Sequence, residues 1–188
     1  ILHQDFLEVD LAAWADRFGA PLRVVGNLPY HLTSPILFKV FEEVTAVRDL
    51  TIMVQREVAR RIVAGPGTKE YGILSVMTQF YGTPKHLFTV SPNCFFPKPK
   101  VTSSVIQIAM HARSAPCPVD AELFRTVVRT AFGKRRKTLR NSLQFLPFTE
   151  ETVLRAVGNL TFPLEKRPEE LTLEEFIELT IQVGRSLP

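Results

Sequence analysis

Residues 26–30 read Gly-Asn-Leu-Pro-Tyr and follow the apolar run Leu22–Val25. The two adjacent valines of this run are β-branched and predict the end of a buried strand. Pro29 has no N–H for a strand ladder and restricts Leu28 to an extended backbone, so the strand is expected to stop there. This stretch therefore predicts a rigid turn at the carboxyl end of a strand.

A helix is expected directly after the turn, with Ser34 as its N-cap and Pro35 at its first position. Open α/β sheets place their ligands at the carboxyl ends of strands, where this turn is predicted to lie. The Asn27 amide, the Leu28 carbonyl and the Tyr30 ring would be held close together there. Such a combination suits the recognition of a planar base through its amino group.

Strand and helix patterns alternate over the first part of the chain. Residues 1–5 resemble the tail of a strand, and the prolines of residues 91–100 predict a stiff loop that displays Phe95 and Phe96. The alternation predicts an α/β fold with a mostly parallel sheet and helices on both faces. Strands are predicted at residues 22–25, 50–54, 85–90 and 101–110, and helices at residues 7–18, 35–44, 57–63 and 72–81.

A change of pattern at residues 111–118 indicates a domain boundary, because Ala, Pro and Cys replace the strand pattern there. All later segments are predicted to be helical, at residues 121–132, 137–145, 150–157 and 173–183. The predicted domains are thus residues 1–115, with the sheet, and residues 116–188, a small all-α domain.

The charge is unevenly distributed, although the net charge is only +4. Residues 121–145 carry seven Lys or Arg and one acid, a local charge of +6, whereas residues 150–178 carry eight acids and three bases, a local charge of −5. The basic segment suggests a polyanionic partner, while a solvated helix face is the usual explanation of such a run.

Cysteine and histidine spacing gives no metal or redox motif. Cys94 and Cys117 are therefore expected to be free thiols in a reducing cytosol. No apolar run reaches the roughly 18 residues of a membrane helix, and no signal peptide is present in the sequence, so we expect a cytoplasmic protein without a membrane partner. Because the chain begins with Ile1, we expect its natural start to lie upstream.

Five motifs follow one another along the chain, and together they closely resemble the KsgA-type small-subunit ribosomal RNA adenine dimethyltransferases over essentially all residues. They are Gly-Asn-Leu-Pro-Tyr at 26–30, Gln-Arg-Glu-Val-Ala-Arg-Arg at 55–61, Tyr-Gly-Ile-Leu-Ser-Val at 71–76, Phe-Phe-Pro-Lys-Pro-Lys-Val at 95–101 and Phe-Gly-Lys-Arg-Arg-Lys-Thr-Leu-Arg-Asn-Ser-Leu at 132–143. The resemblance implies a class I, Rossmann-like methyltransferase sheet followed by a helical RNA-binding domain. It also implies dimethylation of two neighbouring adenines near the 3′ end of 16S RNA in the 30S subunit, a role in small-subunit maturation, and a monomer when intact.

The resemblance implies roles for individual residues of the predicted sheet. The turn Asn27, Leu28, Pro29 and Tyr30 would hold the target adenine against S-adenosylmethionine, and Phe95 would stack on the other face of the base. Asp5 and Asn27 would contact the cofactor.

The basic segment would supply contacts to RNA phosphates. The candidates are Lys134, Arg135, Arg136, Lys137 and Arg140. The motif at Gln55, Arg56 and Glu57 has no role that the sequence can assign, because a helix start and a substrate-side ion pair are equally compatible with it.

One departure from the family pattern concerns the cofactor pocket. The family has a glycine-rich loop and an acidic ribose-binding residue on upstream strands that these residues do not contain. The Gly65-Pro66-Gly67 turn is no substitute, because it ends a helix rather than opening one after a strand. We therefore expect the 188 residues alone to have an incomplete cofactor pocket, to bind S-adenosylmethionine weakly and to be inactive, and we expect the edge of the first strand to lack its neighbours.

Three rival functions remain at this point. One is a large-subunit ribosomal RNA adenine dimethyltransferase, which the form of the turn, the proline loop and the basic helix disfavour. A DNA adenine methyltransferase would need a second recognition domain, which the sequence does not suggest. The third is a non-catalytic RNA-binding or ribosome-assembly protein.

Overall fold

The computed structural model describes residues 3–111, 119–134 and 137–187. The described residues form one four-stranded sheet and eight α-helices. The strands are Leu22–Asn27 (β1), Val47–Gln55 (β2), Gly82–Val90 (β3) and Ser103–Met110 (β4). The helices are Leu11–Phe18 (α1), Thr33–Glu42 (α2), Arg56–Val63 (α3), Ile73–Tyr81 (α4), Ala121–Phe132 (α5), Leu139–Leu143 (α6), Glu150–Val157 (α7) and Leu173–Ser186 (α8). The predicted α/β class is therefore confirmed.

The strand order in the sheet is β1-β2-β4-β3. Only β1 and β2 run parallel, whereas β4 is antiparallel to both β2 and β3. The prediction of a mostly parallel sheet is therefore wrong for the described strands. β1 and β2 are joined through α2, as a parallel pair requires, but β3 and β4 are joined by the proline loop, which contains no crossover helix and therefore returns the chain antiparallel.

The core of the sheet unit lies along β2 and β4, where Leu50, Ile52, Val54, Ile106 and Ile108 are fully buried. At the start of β3, Gly82 lies so close to β4 that a Cβ there would be 2.7 Å from the Ala109 carbonyl oxygen. No other residue type fits that position without a shift of the backbone. A separate apolar cluster of Leu11, Val40, Ala46 and Val47 packs α1 and α2 against Leu22 and Val24 of β1.

The opposite face of β1 is open in the described structure, and Val25 is 72% exposed. Val24 is half-buried and Val25 is exposed, so the prediction that these valines end a buried strand is wrong. The reason is that β1 lies at the edge of the sheet and pairs only with β2 among the described strands.

Two predictions for the segments that flank β1 are also wrong. α2 begins at Thr33, after a 3-10 turn over Tyr30–Leu32 that leads directly into it, so Ser34 lies inside the first turn and is not the N-cap. Pro35 remains in the first turn, where a missing N–H costs no helical hydrogen bond. Residues 3–5 are not a strand, because Asp5 caps a 3-10 turn over Phe6–Glu8.

The chain divides into two compact units, one of residues 1–63 and 78–114 and one of residues 64–77 and 115–188. The second unit includes a segment that the sequence analysis assigned to the sheet domain. Gly67 N–H donates to the Glu169 carbonyl at 2.7 Å, and the Tyr71 ring packs edge-on against Phe132 with centroids 6.2 Å apart. Burial and the nearby carboxylates of the α8 N-terminus raise the pKa of Tyr71. The predicted boundary at residues 115 and 116 lies outside the described residues and stays a prediction.

Candidate functional site

One end of the sheet brings together the two loops that the sequence analysis singled out. β1 ends at Asn27, and both β2 and β3 end opposite Ser103, the first residue of β4. The turn after β1 and the proline loop before β4 therefore emerge at the same end of the strands. This is the carboxyl end of the parallel strands β1 and β2, the usual ligand-binding edge of an α/β sheet.

Backbone hydrogen bonds hold the turn at residues 27–30 in place. Leu28 N–H donates to the Met53 carbonyl of β2 at 3.3 Å, which extends the ladder by one residue beyond the end of β1. The Leu28 side chain folds back over Gly26, where an added Cβ would be 3.2 Å from Leu28 Cδ2. Pro29 then accepts a hydrogen bond from Leu32 N–H at 2.9 Å and starts the 3-10 turn.

The turn leaves two hydrogen-bond acceptors unused. Within the described residues, neither the Asn27 carboxamide nor the Leu28 carbonyl has a hydrogen-bond partner. Asn27 is exposed, and Leu28 is half-buried. Because both belong to consecutive residues at the end of β1, they can accept hydrogen bonds from a single amino group at this edge.

A side-chain hydrogen bond fixes the ring of the turn. The Tyr30 hydroxyl lies 3.0 Å from the Ser103 Oγ, which is fully buried at the start of β4. This bond crosses from the turn after β1, past β2, to the point where the proline loop re-enters the sheet. The sequence does not indicate a role for Ser103, because its partner lies 73 residues away. The one local indication is that a polar residue stands at the end of a buried strand.

The proline loop supplies the second aromatic candidate. Ser91 caps a 3-10 turn over Pro92–Cys94, and Phe95 follows it in an extended conformation with its side chain half-buried. Phe96 is fully exposed. The loop thus brings Phe95 to the same edge as Tyr30, and its stacking role stays a prediction.

Asp5 lies at the start of the described chain, in the sheet unit. One carboxylate oxygen accepts a hydrogen bond from Leu7 N–H at 2.9 Å. The side chain is exposed, and its second oxygen has no hydrogen-bond partner in the described part of the chain. A carboxylate in this state can accept a hydrogen bond from an adenine amino group, although the predicted strand end is replaced by a 3-10 turn.

The motif at residues 55–57 has a structural explanation. Gln55 ends β2 and Arg56 begins α3, with the Arg56 N–H donating to the Thr102 carbonyl at 2.9 Å. The sequence left open a helix start and a substrate-side ion pair for this motif. The structure shows a helix that starts at Arg56.

The basic segment lies in the second unit and includes α5 and α6. Lys134 and Lys137 are exposed at a turn in which Lys137 N–H donates to the Lys134 carbonyl at 2.8 Å. Arg140 is exposed on α6 and pairs with Glu165 at 3.7 Å, so this acid partly offsets its charge. The candidates Arg135 and Arg136 lie outside the described residues.

A search of the described residues finds no group of three or more His, Cys, Asp or Glu placed to hold a metal ion. Cys94 is a free, exposed thiol in the proline loop. Cys117 lies outside the described residues. None of the described helices is both long and apolar enough to span a bilayer.

Residues 1–180 match the family described as ribosomal RNA adenine dimethylase. The ribosomal RNA small subunit methyltransferase A of Alkaliphilus metalliredigens is 42% identical over 188 residues, which cover 98% of this chain and 66% of that protein. The protein of the same name from Bacteroides thetaiotaomicron is 43% identical over an alignment 193 residues long, which covers 100% of this chain and 67% of that protein. The chain thus spans about two thirds of the length of these curated relatives.

Two solved structures share the fold. A dimethyladenosine transferase from Plasmodium falciparum superposes with a TM-score of 0.72 at 22% identity, covering 87% of this chain and 67% of that one. The 23S rRNA methyltransferase ErmE superposes with a TM-score of 0.65 at 20% identity, covering 97% of this chain and 71% of that one. The predicted Rossmann-like methyltransferase architecture is thereby confirmed.

Proposed function

Because the chain belongs to the ribosomal RNA adenine dimethylase family, we propose that it forms the adenine-binding part of a small-subunit RNA dimethyltransferase. The reaction is the transfer of two methyl groups to the exocyclic nitrogen of each of two neighbouring adenines near the 3′ end of 16S RNA. The enzyme acts on the 30S subunit in the cytoplasm, as a monomer, and contributes to small-subunit maturation.

The observation that carries this proposal is the pair of unused acceptors at Asn27 and Leu28. The amino group of adenine is a poor nucleophile, because its lone pair is delocalised into the ring. Two acceptors that bind both N–H groups favour a tetrahedral nitrogen, and the lone pair then becomes available for attack. Preorganised acceptors of this kind act through positioning and electrostatics more than through a general base, and the amino proton is released to water after each transfer.

The two aromatic candidates hold the base while the amino group is bound. An adenine must leave its helix or loop to enter the site, at a cost of a few kcal/mol, and stacking on one aromatic ring returns about 1–3 kcal/mol. The bond between Tyr30 and Ser103 holds the Tyr30 ring before the substrate arrives. Phe95 contributes the opposing ring from the proline loop.

The cofactor is S-adenosylmethionine, which supplies an electrophilic methyl group on its sulfonium when bound. The Asp5 carboxylate fits the adenine end of this molecule, because its exposed oxygen can accept a hydrogen bond from an amino group. Asn27 lies at the end of β1, where it adjoins both base and cofactor. These residues orient the two reactants, and the incomplete pocket and weak binding of the 188 residues alone stay predictions.

RNA phosphates are bound by the basic segment of the second unit. Lys134, Lys137 and Arg140 are the described candidates, and Arg135 and Arg136 complete the proposed set. Contacts of this kind release counterions and position the RNA without reading its sequence.

The test is methyl transfer to undermethylated small subunits by the protein that carries this chain. Asn27→Ala is expected to lower methyl transfer by at least tenfold while RNA binding through the basic segment persists, because one acceptor for the amino group is lost. Asn159→Ala removes an exposed Asn from the other unit and serves as the matched control.

Two outcomes favour rival functions. RNA binding with no transfer by the parent protein indicates a non-catalytic assembly role, whereas full methyl transfer by Asn27→Ala overturns the role proposed for the Asn27 acceptor. Methylation of large-subunit RNA in place of small-subunit RNA indicates the other dimethyltransferase class.

A further inference from the structure

An exposed aromatic side chain lies beside the basic segment. Phe145 directly follows α6 and its C-cap residue Gln144, with its N–H bonded to the Ser142 carbonyl at 3.1 Å. Its side chain is 51% exposed, although Leu143 and Leu146 on either side are buried. The neighbouring leucines anchor the backbone in the core of the unit, and the ring of Phe145 is left facing water.

Two ammonium groups are held over this ring. The Nζ atoms of Lys134 and Lys137 each lie 5.0 Å from the centroid of the Phe145 ring. The hydrogen bond from Lys137 N–H to the Lys134 carbonyl holds the two backbones together, and both side chains reach the same ring. Each contact is a cation–π interaction, which is weak at an exposed site.

The two lysines form an uncompensated pair of positive charges. Within the described residues, neither ammonium group lies at ion-pair distance from a carboxylate. Arg140, by contrast, is paired with Glu165. Two like charges that converge on one ring repel each other, and an anion between them removes this repulsion.

We propose that Phe145, Lys134 and Lys137 form a site for one unpaired nucleotide of the RNA substrate. The base stacks on the Phe145 ring in place of the two ammonium groups, which then bind the adjacent phosphate. Exposed aromatic rings within a basic groove are the means by which proteins bind single-stranded nucleic acid without sequence preference. That the ligand of this site is RNA rests on the proposed function. The site itself predicts that the protein binds single-stranded RNA more tightly than double-stranded RNA.

The experiment measures the affinity of the protein for a labelled single-stranded RNA and for the same sequence as a duplex. Phe145→Ala and Phe145→Leu are expected to weaken single-strand binding by about 5- to 150-fold, the loss that one stacked base produces. Phe145→Trp is expected to retain it. Leu154→Ala, which truncates a 62% exposed side chain on α7 of the same unit, is the matched control.

Salt dependence separates stacking from charge. Phe145→Leu is expected to leave the slope of log affinity against log salt unchanged, whereas Lys134→Ala with Lys137→Ala flattens it by about 0.7, the value for one phosphate contact on a single strand. Unchanged single-strand affinity in Phe145→Leu, or an equal loss for duplex RNA, overturns the proposal. Methyl transfer by the parent is measured in parallel, so that failure of the proposed function is recognised separately.

Discussion

The hydrogen bond between Tyr30 and Ser103 links the two loops of the candidate site through a pair of hydroxyl groups 3.0 Å apart. Ser103 is fully buried and belongs to a strand, so its position is fixed by the sheet. The Tyr30 ring takes its position from that contact. A single bond can therefore decide how well the ring is aligned before a base arrives.

Tyr30→Phe and Ser103→Ala are each expected to reduce methyl transfer by about 2- to 12-fold, equivalent to a net hydrogen bond of about 0.5–1.5 kcal/mol. The double variant is expected to match the single ones, because both remove the same bond. Tyr30→Ala removes the ring as well and should reduce transfer further. Additive losses in the double variant would show that the two hydroxyls act independently.

Several site residues could be predicted from local sequence, whereas their partners could not. The strand, the proline and the asparagine of the turn are adjacent in the chain, so their placement at a strand end follows from backbone chemistry. Ser103 could not be predicted, because nothing local to it indicates a partner in a turn 73 residues away. Asp5 was placed on a strand, although its carboxylate caps a turn three residues long.

At the scale of elements, α1 depends on a carboxylate from the end of α2. The Glu43 carboxylate accepts a hydrogen bond from Ala12 N–H at 3.0 Å, at the N-terminus of α1, and is ion-paired with Lys39. Burial opposes the charged form of Glu43. The hydrogen bonds from Lys39 and the α1 backbone, together with the Lys39 charge, outweigh it and hold the pKa of this carboxyl below its usual value.

Glu43→Gln is expected to lower the free energy of unfolding by about 1–2 kcal/mol at neutral pH. A lowered pKa means that this stabilisation is present above the unfolded pKa of about 4.5 and is lost as the pH falls through the folded value. The difference between parent and variant, measured by urea unfolding, should therefore narrow below about pH 4.5. Glu57→Gln, an exposed position on α3, is the control, and a difference independent of pH would contradict this account.

The helices were easier to predict than the sheet. The bounds of α5 and α7 coincide with the predicted ranges, because a clear 3.6-residue period and a capping Asp120 or Thr149 define them locally. Strand direction depends on how the chain returns to the sheet. The segment between β3 and β4 contains no predicted helix, which indicates an antiparallel pair. The alternation of strands and helices in the rest of this region favoured a parallel sheet instead.

At the scale of the whole molecule, the two units have separate proposed tasks. The sheet unit carries the acceptors and rings proposed to hold an adenine, and the helical unit carries the cations proposed to bind RNA backbone. Chain-wide resemblance gave the family, which the match over residues 1–180 confirms. The inclusion of residues 64–77 in the helical unit could not be predicted, because the contacts to α5 and to the segment before α8 join residues distant in sequence.

The central claim is that the turn at residues 27–30 recognises the amino group of adenine. It is tested most directly by binding of two RNAs that differ only at the target position, one with adenine and one with purine, which lacks the amino group. The parent protein is expected to bind the adenine RNA about 5- to 20-fold more tightly, the effect of one or two hydrogen bonds. Asn27→Ala is expected to lose most of this preference. Equal affinity of the parent for both RNAs, or a full preference retained by Asn27→Ala, would contradict the claim.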